Sequence, residues 1–562
     1  MGGLLCSAAV SHSSGFQGAR VMCMRPAVLL EVVVCSALAL SVAPPACPQA
    51  ANVAEAVVAP AQKCADLVNL KIAGTNVQIT KAEEVPTAPP GTVRASVTLS
   101  PDMIPVAIPS YCRADGVMDP RTGVDGKPYA IGFQIALPDH WNGRFLFQGG
   151  GGLNGAILPP LGGQATADNP ALARGFAVVS TDTGHKGAVF DPAFMKDQLA
   201  SLDFAYVAVG RVTLLSKEII AQYYGQPAKR SYYDGCSTGG REGMLTSQRY
   251  PTQFDGIIVG DPAMRTGYSN LGLAYARGAF AKIAPKDSSG KPDPTKDFSD
   301  GDKRLLADSI MKTCDDMDGL KDGMIFNPQA CHYDPAVLRC QGAKTDSCLT
   351  SPQVDALQKA FAGPKDSHGN AVYAPFPWDT GYLQGSGGPF ASFLPNPGPN
   401  ILASVEQPSE LDIDSLVARV HDNENETLTD TTWTNLSSFF GHGGKIVFYH
   451  GTSDPVFSPF DTLAYYVKMA AANGGLEQVM NSSRFYFVPG MNHCGGGPAA
   501  LDKFDMLTAV VDWVENGKAP DSVRATGKAF PGRSRPLCAY PKHAQYKGQG
   551  NPEDASSFEC RE

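Results

Sequence analysis

The sequence predicts an α/β protein: a mainly parallel sheet, interrupted by a large insertion and then completed. Three observations predict it. From about residue 64 to 262, short apolar runs alternate with helical stretches. Residues 263–434 break that rhythm, being rich in Gly, Pro, Asp and Asn and giving few clear strands. The alternation resumes from about residue 435. Strands alternating with helices build parallel sheets, because each parallel crossover needs a connecting element long enough to return along the sheet.

The N-terminal segment stands apart. Residues 28–43 are apolar or small except for Glu31, follow Met24 and Arg25, and lead into small residues through Ala51. The reading is a secretory signal within residues 1–50, cleaved near Ala46–Ala51, with Met24 as the candidate start. The run is shorter than the roughly 20 residues a membrane span needs. No second apolar run is expected to follow, so no stable membrane anchor is expected. The net charge of -9 and the lack of a long Lys/Arg cluster argue against a nucleic-acid partner.

In the first core segment, 51–262, residues 144–148 read as a buried strand entering a glycine loop. Residues 176–180 read as a strand, 203–224 as a helix, 231–234 as a strand, 240–250 as a helix and 256–260 as a strand. In the second, 435–562, residues 445–450 and 483–488 read as strands, and 462–472 and 504–516 as helices. Residues 263–434 are read as an inserted domain.

Cysteine usage agrees with export. Of 14 cysteines, four (Cys6, Cys23, Cys35, Cys47) lie in or beside the signal. The remaining even set suggests disulfides. Spacing favours Cys314–Cys331, Cys340–Cys348 and Cys538–Cys560. The last pair would fasten the tail, 533–562.

The strongest chemical signal is Gly235-Cys236-Ser237-Thr238-Gly239. It fits Gly-x-Ser-x-Gly between a strand and a helix, the setting of a nucleophile elbow. A serine hydroxyl needs a base. In such folds the acid and then the histidine follow in chain order. His493 follows the late strand 483–488 through a short loop, and Asp454 follows 445–450. Ser237, Asp454 and His493 are therefore the expected nucleophile, acid and base. His450 and His185 are assigned structural roles. Cys236 and Cys494 each adjoin a member of this set, so a bridge between them would tie the elbow to the histidine loop. The backbone N–H of Thr238 is the first expected oxyanion donor. The loop 148–155, with glycine at 149–152, should supply the second.

Residues 314–324 hold Asp315, Asp316, Asp318 and Asp322 among glycines. Such a loop suits Ca²⁺ in a structural role. It is not an EF-hand, because Phe326 stands where the closing Glu would be. No organic cofactor is expected.

These motifs resemble the tannase/feruloyl esterase family. The likeness rests on Gly-Cys-Ser-Thr-Gly-Gly-Arg-Glu-Gly at 235–243, Tyr-His-Gly-Thr-Ser-Asp at 449–454 and Pro-Gly-Met-Asn-His-Cys-Gly-Gly-Gly-Pro at 489–498. The Cys-Asp-x-x-Asp-Gly-x-x-Asp-Gly loop at 314–323 also matches. The resemblance implies an α/β-hydrolase core carrying a lid domain, about 263–434, and the Ser237–Asp454–His493 triad. It implies oxyanion donors at Gly152 and Thr238. It implies lid calcium on the side chains of Asp315, Asp318 and Asp322 and the carbonyls of Leu320 and Met324. It also implies the pairs Cys64–Cys112, Cys236–Cys494, Cys314–Cys331, Cys340–Cys348 and Cys538–Cys560.

The implied substrates are small esters of aromatic acids such as ferulates and gallates, and in one branch a terephthalate monoester. That branch clamps its free carboxylate with a lid arginine, and Phe390 aligns there. No arginine lies between Arg339 and Arg419. Phe390, Phe393 and Phe457 are the candidate contacts to an aromatic acyl group. Three readings stay open beside this one: terephthalate monoester hydrolysis, amide cleavage by the same triad, and an exported, catalytically inert calcium-stabilised binding protein.

Overall fold

The computed structural model describes residues 57–95, 102–293, 296–384 and 411–562. The signal segment, Phe390 and Phe393 lie outside them. Glu55–Glu562 form one compact unit.

Its centre is a nine-stranded sheet: β1 (Val77–Val85), β2 (Tyr111–Thr122), β3 (Pro128–Pro138), β4 (Arg144–Gln148), β5 (Ala177–Thr181), β6 (Arg230–Cys236), β7 (Gly256–Gly260), β8 (Lys445–Gly451) and β9 (Ser483–Val488). The spatial order is β1-β2-β3-β5-β4-β6-β7-β8-β9. From β5 onward the strands run parallel, whereas β1–β2, β2–β3 and β3–β5 pair antiparallel. β4, β6, β7 and β9 are short and almost wholly buried, as covered parallel strands must be. One face packs Phe145, Phe147, Tyr233 and Ile257 with the core helices; the other packs Leu146, Tyr232, Ile258 and Val447.

The expected elements 144–148, 256–260 and 483–488 form as read. Others shift at their ends. The helix expected at 240–250 begins with Thr238, directly after the serine; it is α2 (Thr238–Arg249), following α1 (Ala208–Tyr224). The helix expected at 504–516 starts at Met506, because the Asp505 carboxylate caps the Thr508 amide. β1 and β2 mix polar with apolar residues, and β2 alternates half-exposed with buried positions. Such strands lack the continuous apolar runs that mark the parallel ones.

A second apolar stretch does exist, contrary to the sequence reading. Gln198–Tyr224 is long and apolar enough to cross a membrane by composition. Its Val209, Val212, Ile219 and Ile220 are buried in the sheet's core, so the apolarity is that of a core helix.

Between β7 and β8, helices replace strands among the described residues: α3 (Thr266–Ala281), α4 (Asp300–Cys314), α5 (Ser351–Ala362) and α6 (Ile413–His421). Capping boxes start two of them, Ser299 with Asp302 and Thr350 with Gln353. Leu273, Phe280, Leu306, Ile310, Leu357 and Phe361 give this insertion its own core. After β8 come α7 (Pro459–Ala472) and, beyond β9, α8 (Met506–Asn516). The tail adds short antiparallel strands, among them Ser534–Cys538 and Phe558–Arg561. All five implied disulfides form.

Candidate active site

Four neighbouring parallel strands, β6 to β9, end on one edge of the sheet, where ligand sites of open α/β sheets lie. Each end delivers one chemical group. β6 ends at Ser237, β7 at Asp261, β8 leads to Asp454 and β9 to His493.

Ser237 holds a φ of 63° and ψ of -123°. A serine there carries strain of about 1–3 kcal/mol. The surroundings enforce it. The Ser237 amide donates to the Gly260 carbonyl at 3.0 Å, and the Ser237 carbonyl accepts from Arg241 at 2.9 Å and Ala263 at 3.0 Å. A Cβ on Gly239 would lie 2.7 Å from the Gly150 carbonyl oxygen, so only glycine lets the elbow meet the glycine loop.

His493 donates Nδ1–H to Asp454 Oδ2 at 2.8 Å. The carboxylate accepts only, which fixes the tautomer and leaves Nε2 free to take a proton. Asp454 Oδ1 accepts from the amides of Val456 at 2.7 Å and Phe457 at 3.1 Å. Burial opposes the charge on Asp454, but His493 and His450 together hold its carboxyl well below the ordinary range. Burial likewise works against the His493 imidazolium. The Asp454 charge and hydrogen bond, with Asp261 further off, outweigh it and raise His493 above its ordinary value.

The bridge Cys236–Cys494, with Cα atoms 5.8 Å apart, ties the elbow to the histidine loop. Asp261 braces the same junction: Oδ1 accepts from the Gly451 amide at 2.7 Å and Oδ2 from the Cys494 amide at 2.8 Å. It is fully buried, and burial, only partly offset by His450, pushes it up to about 6. Nothing in the sequence motifs marked Asp261. A carboxylate closing a buried parallel strand was the available signal.

On the glycine loop, Gly152 has a φ of 58° and packs against Val189. Its carbonyl accepts from the Thr238 hydroxyl, so the two expected oxyanion residues touch. Glu242, also missed, anchors this loop from α2. Oε1 accepts from Asn154 Nδ2 at 2.6 Å; Oε2 accepts from the Tyr233 hydroxyl at 2.9 Å and the Gly150 amide at 3.2 Å.

Phe457 is 6% exposed, and its ring meets His493 edge-on at 5.3 Å. It walls the His493 ring rather than offering an open face. The insertion reaches the same loops through Asp379, whose Oδ2 accepts from Gly490 N at 3.0 Å and from the Thr452 hydroxyl. Tyr382 donates to the Thr452 carbonyl at 2.9 Å. His185, read as structural, is buried and stacks on Phe194 at 3.7 Å. His450, also read as structural, is buried against Asp454.

The acidic loop is a separate centre. Asp315 Oδ1 is turned onto the amides of Asp322, Gly323 and Met324 at 3.0–3.2 Å. Asp318 Oδ1 accepts from Leu320 N at 3.0 Å. Asp322 Oδ2 pairs with Arg535. Two buried oxygens, Asp318 Oδ2 and Asp322 Oδ1, have no hydrogen-bond donor. Burial, then the charges of Asp322 and Asp315, push Asp318 up to about 7. Unpartnered buried carboxylate oxygens fit a hard cation.

Comparison with known proteins agrees with this architecture. The family model described as "Tannase and feruloyl esterase" matches residues 112–396 and 398–561. The chain is 39% identical to mono(2-hydroxyethyl) terephthalate hydrolase of Piscinibacter sakaiensis, over 81% of this chain and 85% of that protein. It is 30% identical to a probable feruloyl esterase B-2 of Aspergillus terreus, over 76% of this chain and 83% of that one. The structure of feruloyl esterase B from Aspergillus oryzae superposes with a TM-score of 0.70 at 28% identity, covering 89% of this chain and 99% of that chain. The fold is thus that of an α/β hydrolase, and the chain belongs to the tannase and feruloyl esterase family of carboxylic ester hydrolases.

Proposed function

We propose that this ester hydrolase is an exported serine esterase acting on small esters of aromatic acids, of the ferulate or gallate kind, through an acyl-enzyme on Ser237. The observation that carries the reading is the convergence of a strained serine and an Asp454-oriented imidazole on one sheet edge, fastened by Cys236–Cys494. In the first step Ser237 Oγ attacks the ester carbonyl while His493 Nε2 takes its proton. The Gly152 and Thr238 amides stabilise the oxyanion. The tetrahedral intermediate collapses, the alcohol leaves with the proton from His493, and the acyl group remains on Ser237. Water then attacks with His493 again as base, releasing the acid.

Five disulfides and the signal-like N-terminus support export. Asp315, Asp318 and Asp322, with the Leu320 and Met324 carbonyls, would hold calcium. Its chemistry there is charge neutralisation of a buried acidic loop, with no part in acyl transfer. Phe457 would flank the aromatic ring beside His493.

A second substrate reading follows from the 39% identity to a terephthalate monoester hydrolase. Phe390, aligned where that branch places its carboxylate-clamping arginine, weighs against it. Methyl ferulate, methyl gallate and mono(2-hydroxyethyl) terephthalate, assayed side by side with a matched amide, separate the readings. Ser237→Ala should lower turnover of the best ester by roughly 10⁴-fold or more and abolish labelling by a fluorophosphonate. Substantial residual turnover, or labelling elsewhere, defeats the assignment.

A further inference from the structure

Asp454 serves two imidazoles, not one. His450 Nε2 lies 3.2 Å from Asp454 Oδ2, the oxygen that His493 Nδ1 reaches at 2.8 Å. The same His450 nitrogen faces the Phe457 carbonyl at 3.0 Å and Asp261 Oδ1 at 3.5 Å. The carbonyl can only accept, and an ionised Asp454 likewise, so Nε2 carries the hydrogen. On the far side, Nδ1 meets the Thr462 hydroxyl of α7 at 2.9 Å, which fixes the ring plane. His450, Asp261 and Asp454 are all fully buried.

We propose that His450 is a positioning residue of the triad: its Nε2–H locks the Asp454 carboxylate and draws part of that charge away from His493. This rests on the triad reading above. With Oδ1 held by two backbone amides and Oδ2 shared between two N–H donors, the carboxylate has no free rotation. The sharing also sets basicity. The groups facing His493 are Asp454 and Asp261; those facing Asp454 are His450, His493 and Asp261, with Tyr373 and Tyr382 from the insertion. If the His450 donor is removed, the Asp454 charge acts on His493 alone. The imidazolium is then favoured, and the base is freed only at higher pH.

The rate at which a fluorophosphonate inactivates the full-length protein, followed against pH, reads Ser237 activation without assuming a natural substrate. His450→Phe keeps the ring volume and removes the donor; His450→Gln restores an N–H near the Nε2 position; Thr462→Val loosens the ring. The expected result is a fall of about tenfold or more at neutral pH in His450→Phe. Its acid limb should move up by about half a pH unit. His450→Gln should recover most of both effects, and Thr462→Val should move the limb in the same direction by less. A His450→Phe protein with the wild-type rate and limb overturns the proposal, as does His450→Gln matching His450→Phe. Should His450→Phe not fold, a Thr462→Val protein with the wild-type rate and limb overturns it. Wild-type protein that takes no label at Ser237 defeats the triad reading itself, a different outcome from a labelled wild type with unmoved variants.

Discussion

Ser237 sits in a conformation that only its neighbours maintain, and the loop across from it is held as tightly. Glu242 fixes that loop through Gly150 and Asn154. Glu242→Gln turns one of the acceptor oxygens into an NH2 donor facing a donor, either Asn154 Nδ2 or the Gly150 amide and Tyr233 hydroxyl. Turnover should fall roughly tenfold to a hundredfold with KM nearly constant, because a displaced oxyanion donor weakens the transition state more than the bound ester. Steady-state kinetics on one aryl ester check it; a changed KM with unchanged kcat would point to substrate contact instead. The raised His493 has its own consequence. The acid limb of kcat/KM should lie above the ordinary histidine value of about 6.5. The positions of Ser237, Asp454 and His493 were legible because each follows a readable strand. Asp261 and Glu242 were not, since their importance lies in backbone amides brought to them from 190 and 92 residues away.

At the scale of elements, the parallel strands were legible because burial on both faces leaves an unbroken apolar run. β1 and β2 were not, because half-exposed strands scatter polar residues among apolar ones. The acidic loop after α4 was legible as chemistry, and its behaviour follows from its burial. Asp318, pushed up to about 7, resists ionisation in the metal-free fold. The sign is that of a raised acid. There is no penalty below its unfolded value of about 3.8; the penalty grows as pH rises through 7 and then levels off. If the loop holds calcium as proposed, the ion takes the ionised form, so protons compete with it. Chelation should lower the melting temperature by roughly 5 °C or more at pH 8 and by much less at pH 5. Melting curves with and without EDTA at the two pH values test this, and equal shifts at both would contradict it.

Across the whole molecule, the insertion separates Ser237 from Asp454 and His493, and contacts far apart in sequence reunite them. Asp379 and Tyr382 fasten the insertion to the acid and histidine loops, a connection invisible in sequence because both partners are ordinary loop residues. Cys236–Cys494 spans 258 residues. In the chain-entropy picture a loop of that size stabilises the fold by about 5 kcal/mol. The double variant Cys236→Ala/Cys494→Ala should therefore melt well below the wild type. Its turnover at 25 °C should also fall, by more than the folded fraction explains, since the base loop loses its tether. Circular dichroism and activity measured on the same sample separate the two effects; activity that tracks the folded fraction alone would show the tether to be purely structural.

That long span also orders events in time. At translation rates of 5–20 residues per second, Ser237 emerges on the order of tens of seconds before the histidine proposed to deprotonate it. Throughout that interval the nascent polypeptide carries an ordinary alcohol. On the proposed mechanism its esterolytic power arrives late, with the last strands, and the bridge that fastens it forms only where thiols can oxidise.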